Sequence, residues 1–104
     1  MAAGTFVKAA KTGDVAPGEV FVIDIDKRQI AICNVDGRFY AIEDVCTHDG
    51  SSFDETQLDG EEIMCPRHGA VFNVTDGSVV SMPAVTPVKT YPVRVVGDMI
   101  EIEV

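Results

Sequence analysis

Apolar positions along this chain fall into short blocks and alternations. Nowhere do ten or more residues show the 3.6 spacing of an amphipathic helix. Glu19 to Ile25 and Gln29 to Val35 are rich in Val and Ile, with the charged Asp26, Lys27 and Arg28 between them, which predicts two strands. Asp36-Gly37 is a tight-turn signal and Arg38 to Ile42 continues as a strand, so 29–42 reads as a hairpin. Near the end, Tyr91, Val93 and Val95 alternate with Pro92, Arg94 and Val96. After Gly97-Asp98, Ile100, Ile102 and Val104 alternate with Met99, Glu101 and Glu103. That period of two predicts a second hairpin with one buried face. Pro92 has no N–H to give to a ladder and is expected at an edge or a strand start. The fold class is therefore all-β.

The stretch 44–85 differs from its flanks. Short turn-rich pieces surround candidate strands at 61–64 and 70–74 and an Asp76-Gly77 turn. It reads as a subdomain inserted into a β framework. With 104 residues the chain is expected to form one domain, 1–104, large enough to bury a core without disulfide staples.

Charge narrows the partners. Seventeen acids against eight bases give a net charge of −9. Nucleic-acid binding and attachment to an anionic membrane both draw on Lys and Arg, so neither is expected. No apolar run approaches the roughly 20 residues of a membrane span. The first residues lack a basic segment followed by an apolar one, so no secretory signal is read and a cytoplasmic location is expected. Glu43, Asp44, Asp49, Asp54, Glu55, Asp59, Glu61 and Glu62 crowd one stretch, with no base until Arg67. This is expected to be either a solvated loop surface or a docking face for a basic partner.

The chemistry collects at Cys46-Thr47-His48 and Cys65-Pro66-Arg67-His68. The two motifs are separated by sixteen residues and together use both histidines and two of the three cysteines. Each pair is close enough to reach one small inorganic centre from a tight loop. Gly50 and Gly69 follow the motifs and permit sharp backbone turns. Thiolate and imidazole suit soft or borderline metals. Two centres fit the donor set: tetrahedral zinc, or a [2Fe–2S] cluster in which two histidines replace two cysteines. Cys33, in the apolar run Ile30-Ala31-Ile32-Cys33, is expected to be a small buried hydrophobe. Phe53 and Phe72 are expected to pack around the site. No G-x-G-x-x-G segment is present, and no further histidine exists for a 2-His-1-carboxylate iron site, so the chain is not expected to be an enzyme.

At these residues the sequence resembles the Rieske-type ferredoxins, in particular the small ferredoxins of bacterial aromatic-ring-hydroxylating dioxygenase systems. The match runs through Cys46-Thr47-His48, Cys65-Pro66-Arg67-His68-Gly69, Phe72, Asp76-Gly77 and the tail from Pro83-Ala84 through Tyr91-Pro92-Val93 to Gly97-Asp98. The resemblance implies the Rieske iron–sulfur fold of three small antiparallel sheets. It also implies one [2Fe–2S] cluster, with Cys46 and Cys65 on one iron and His48 and His68 on the other, and a covering loop around Met82-Pro83. It implies electron transfer from a flavoprotein ferredoxin reductase to a terminal oxygenase. Neighbouring possibilities are a ferredoxin for a diiron monooxygenase or a nitrite-reductase-like system. A zinc-stabilised module without redox activity is the rival of another class.

The electrostatics of such a centre follow from its charges. Two Fe³⁺, two S²⁻ and two thiolates sum to zero, whereas four thiolates would leave −2. An electron enters a neutral centre more easily, and Rieske centres accordingly span about −150 to +300 mV against about −400 mV for plant-type ferredoxins. High-potential relatives tie the two loops with extra cysteines and donate Ser and Tyr hydroxyls to the cluster sulfurs. The corresponding positions here are Ser51, Arg67, Ala70 and Phe72, so the low end of the range is expected.

Overall fold

The computed structural model describes residues 5–104 except His48, Asp49, Glu55, His68, Pro83 and Val85. It contains three antiparallel sheets, and no α-helix occurs among the described residues. The strands are β1 (Phe6–Lys11), β2 (Val20–Ile25), β3 (Arg28–Val35), β4 (Arg38–Glu43), β5 (Leu58–Asp59), β6 (Glu62–Met64), β7 (Val71–Asn73), β8 (Val79–Ser81), β9 (Thr90–Tyr91), β10 (Val93–Val96) and β11 (Met99–Glu103). A single 3-10 turn, Thr12–Asp14, follows β1. The sheets run β1-β11-β10, β2-β3-β4-β9 and β5-β6-β7-β8.

The middle sheet separates two cores. Along β3 the side chains point alternately to opposite faces, as in any strand. Ile30 and Ile32 join Ile100, Ile102, Ala41 and Tyr91 on one side. Ala31 and Cys33 join Ile42, Ile63, Phe53 and Phe72 on the other. Burial on both faces explains why β3 reads as a continuous apolar run with no alternation. The turn from β2 to β3 holds Asp26 and Lys27 at φ of 51° and 66°. Both central residues have the positive φ of a type I′ turn, which matches the right-handed twist of the flanking strands.

Several details differ from the sequence expectation. β1 was not expected; its pattern Phe6-Val7-Lys8-Ala9-Ala10-Lys11 is blurred by a register shift between Lys8 and Ala10. The strand forms because it covers the free edge of β11. The short β5 and β8 lie below the length at which periodicity is readable. The expected strand beginning at Tyr91 is two strands. Tyr91 pairs with Ala41 in the middle sheet, and Val93 pairs with Ile102 in the terminal one. Pro92 stands at this switch, and its carbonyl accepts the Glu103 N–H at 3.0 Å. The buried face expected for the last hairpin holds on β11 and at Val93 of β10, which packs against the Ile100 and Ile102 core, and Val96 is exposed on the opposite face as the alternation expects. Val95 departs from it and is exposed on this edge strand.

Between β4 and β9, which are neighbours in the middle sheet, the chain leaves to build the third sheet and then returns. Two contacts hold this excursion against the residues just before β2: the Leu58 N–H donates to the Gly18 carbonyl at 2.9 Å, and Gln57 bridges to Glu19.

Candidate metal centre

Cys46 and Cys65 open two loops of the same design. The Cys46 N–H donates to the Ser51 carbonyl at 2.8 Å, and the Gly50 N–H returns to the Cys46 carbonyl at 2.7 Å. In the second loop the Cys65 N–H donates to the Ala70 carbonyl at 2.7 Å, and the Gly69 N–H returns to the Cys65 carbonyl at 3.1 Å. Gly50 and Gly69 have φ of 80° and 76°, a left-handed conformation that side-chain-bearing residues adopt only at a cost. Each loop thus spans six residues and is cinched at its neck by two backbone hydrogen bonds. Both cysteines are buried and share one apolar cluster with Ala70, Phe53 and Phe72. No disulfide forms among the three cysteines.

His48 and His68 lie outside the described residues, as does Pro83 of the covering loop that the resemblance implies. Among the described residues no group of three or more His, Cys, Asp and Glu side chains converges on a metal position. What the structure brings together from the expected set is the pair of cysteines. Two buried thiols, presented by matching loops, are a soft donor set that suits iron–sulfur chemistry.

The surroundings are aromatic, apolar and tied down. Phe53 and Phe72 meet edge-to-face with centroids 5.8 Å apart, the packing role expected of both. The Thr47 hydroxyl donates to the Thr86 carbonyl at 2.6 Å and fastens the first loop to the returning chain. Met64 and Met82 are exposed near the second loop and the end of β8, and Arg67 is exposed on the loop itself. A groove of about 350 Å³ runs beside Cys65, lined by Thr56, Gln57, Met64, Pro66 and Gly69.

The acid-rich stretch is not uniform. Asp54, Asp59 and Glu61 are exposed, and Asp49 and Glu55 lie outside the described residues. Asp44 contradicts both expectations for the stretch, since it is only 1% exposed. Its carboxylate accepts the Ser52 hydroxyl at 2.5 Å and the Phe53 N–H at 2.7 Å. Sequence reading missed this residue because an acid two positions before the Cys46-Thr47-His48 motif looks like its charged neighbours.

Cys33 is wholly buried on β3. Desolvation, with a smaller contribution from the Asp44 charge, pushes its thiol up to about 12 from an ordinary 9.0. It therefore stays protonated, consistent with its expected role as a small hydrophobe. A group whose folded pKa is raised contributes stability that is complete below the unfolded pKa, and this contribution is lost as pH rises from about 9 towards 12. Cys33→Ser should leave iron content unchanged and cost about 1–3 kcal/mol in denaturant titrations, the penalty for a buried hydroxyl without a good partner. Loss of iron in that variant would give Cys33 a place at the centre.

The fold and these loops define the class. The Rieske [2Fe-2S] domain family matches residues 5–92, and the chain belongs to it. An iron–sulfur cofactor therefore belongs with this fold. The chain is 43% identical over 94 residues to the biphenyl dioxygenase ferredoxin subunit of Pseudomonas sp. (strain KKS102), covering 89% of this chain and 86% of that protein. Among solved structures it is similar to the ferredoxin of carbazole 1,9a-dioxygenase from Nocardioides aromaticivorans IC177. There the TM-score is 0.89 at 31% identity, covering 95% of this chain and 97% of that one. A complex of reduced oxygenase and oxidized ferredoxin in carbazole 1,9a-dioxygenase contains another similar chain. Its TM-score is 0.88 at 33% identity, with 94% and 92% covered.

Proposed function

We propose that this chain is a one-electron carrier. It takes electrons from a flavin-dependent NAD(P)H ferredoxin reductase and passes them to the terminal oxygenase of an aromatic-ring-hydroxylating dioxygenase system. Cys46 and Cys65 hold one iron of a single [2Fe–2S] cluster, and His48 and His68 hold the other. Residues 1–104 act as one domain with its cluster-binding part at about 44–85, working in the cytoplasm. The observation that carries this reading is the matched pair of cinched loops. Each begins at a buried cysteine and is followed in sequence, two or three residues on, by a histidine. Relatives named as ferredoxin components, and a similar chain in complex with an oxygenase, support the choice of partners.

When bound, such a cluster accepts and releases a single electron. The chain's own residues supply the rest. The buried cysteines and the Phe53–Phe72 pair keep water away from the thiolate side. Exposed Met64 and Met82 offer adaptable apolar surface, and Asp54, Asp59 and Glu61 offer charge for steering. Electron-transfer contacts are small and transient, which suits a tip of this kind.

Purified protein is expected to be brown, to contain iron and inorganic sulfide in equal amounts, and to give a rhombic paramagnetic resonance signal on reduction. Its midpoint potential is expected at the low end of the Rieske range, about −150 mV rather than +300 mV. Reduction by a ferredoxin reductase and reoxidation by a substrate-loaded aromatic dioxygenase should both slow as salt rises. A colourless zinc protein, or one that no such oxygenase reoxidises, would overturn the reading.

A further inference from the structure

The two cysteine loops share their backbone bonds but not their supports. The second loop sits on a hairpin, because Met64 pairs with Val71 and the β6–β7 ladder continues to the loop's neck. The first loop has no ladder beneath it. β4 ends at Glu43, and residues 51–54 belong to no strand. The segments just outside its two neck hydrogen bonds, at residues 44 and 52–53, are joined by a side chain instead.

The geometry assigns this task to Asp44, as the positioning residue of the first loop. Its main-chain N–H donates to the Gln29 carbonyl at 3.0 Å, which anchors it to the middle sheet. Its carboxylate reaches across the neck to the Phe53 N–H and the Ser52 hydroxyl, so the side chain stands where a ladder would otherwise run. The Ser52 oxygen in turn accepts the Asp54 N–H at 3.0 Å, extending the brace by one residue. The residue so fixed, Phe53, is the one that packs on Phe72 of β7, beside the second loop. One buried carboxylate thus braces the base of the first loop and, through Phe53, its relation to the second. This inference rests on the reading that Cys46 and Cys65 are ligands.

The test compares wild type with Asp44→Asn, Asp44→Ala and Ser52→Ala, all isolated with cofactor. Asparagine keeps an acceptor for Phe53 and can donate to Ser52, whose oxygen has a second lone pair. It should retain the wild-type resonance g values and bleach at the wild-type rate. Asp44→Ala loses both bonds to a buried acceptor, so it should shift the g values and bleach about tenfold faster. Ser52→Ala keeps the Phe53 bond and should bleach about threefold faster.

A purely structural role would lower the melting temperature and leave the g values alone; that result in Asp44→Ala overturns the proposal. So does an asparagine variant as impaired as alanine. If Asp44→Ala does not accumulate, Ser52→Ala decides, and wild-type bleaching there counts against the brace. Wild-type protein without iron and sulfide would instead remove the ligand reading beneath it.

Discussion

Replacing Cys46 or Cys65 by serine is expected to abolish the visible absorption and release residues 44–75 to fast hydrogen exchange, while the middle and terminal sheets stay protected. Ordering backbone costs about 1–2 kcal/mol per residue, so each six-residue loop needs about 6–12 kcal/mol to stay in one conformation. Against that stand two neck hydrogen bonds per loop and, in the first, the Thr47–Thr86 bond, each contributing only about 0.5–1.5 kcal/mol net. On the proposed ligand set, bonds to the cofactor make up the deficit, and they form only when the full donor set is present. Serine also leaves a hydroxyl in a wholly buried position among Phe53, Phe72 and Ala70. His48→Ala and His68→Ala are expected to behave in the same way. Iron and sulfide analysis with exchange mass spectrometry checks all four, and an unchanged visible spectrum in any one variant removes that residue from the ligand set.

Gly77→Ala is expected to destabilise the chain by about 2–4 kcal/mol, combining the strain of a side chain at positive φ with overpacking. Gly77 has φ of 80°, and a Cβ there would lie 2.2 Å from the Val88 carbonyl oxygen and 3.1 Å from the Thr90 Cγ2. The backbones cannot separate cheaply. The Val88 N–H donates to the Gly77 carbonyl at 2.9 Å, and the Gly77 N–H donates to the Asn73 carbonyl at 2.7 Å. The turn is braced further by Asp76, which accepts the backbone N–H of Ser78 and its hydroxyl; those bonds hold its carboxyl below the ordinary carboxylate range. For a domain of this size the loss corresponds to a fall in Tm of about 10 °C or more. Gly13→Ala, where a Cβ would meet nothing within 4 Å, serves as the control and should melt close to wild type. Equal melting of the two variants would mean that the close approach of residues 77 and 88 is absent in solution.

How much of this was readable in advance depends on how far apart the interacting residues lie. The hairpin from β3 to β4 announced itself through Asp36-Gly37 because the turn conformation is a local demand on two adjacent residues. The buried character of Cys33 was equally visible, since an unbroken apolar run has only one place to go. At Pro92 the missing N–H pointed to an edge or a strand start, and Pro92 does stand directly before β10, but the change of sheet there was not visible. Tyr91 and Val93 share one alternation, yet they pair with Ala41 and Ile102 in different sheets. The alternation of Tyr91 and Val93 does not show that they join different sheets, because Val93 pairs with nearby Ile102 while the partner of Tyr91, Ala41, lies far back in the chain.

The candidate motifs, Cys46-Thr47-His48 and Cys65-Pro66-Arg67-His68 with their trailing glycines, were legible from order and spacing, because reach from a tight loop is a short-range property of the chain. So were the strand-rich character and the two-residue turns. The brace at Asp44, the contact of Gly77 with Val88 and the pairing of β1 with β11 exist only in the folded chain. Each joins segments whose separation carries no periodic signal, and a carboxylate or a glycine reads the same in sequence whether it faces water or another backbone.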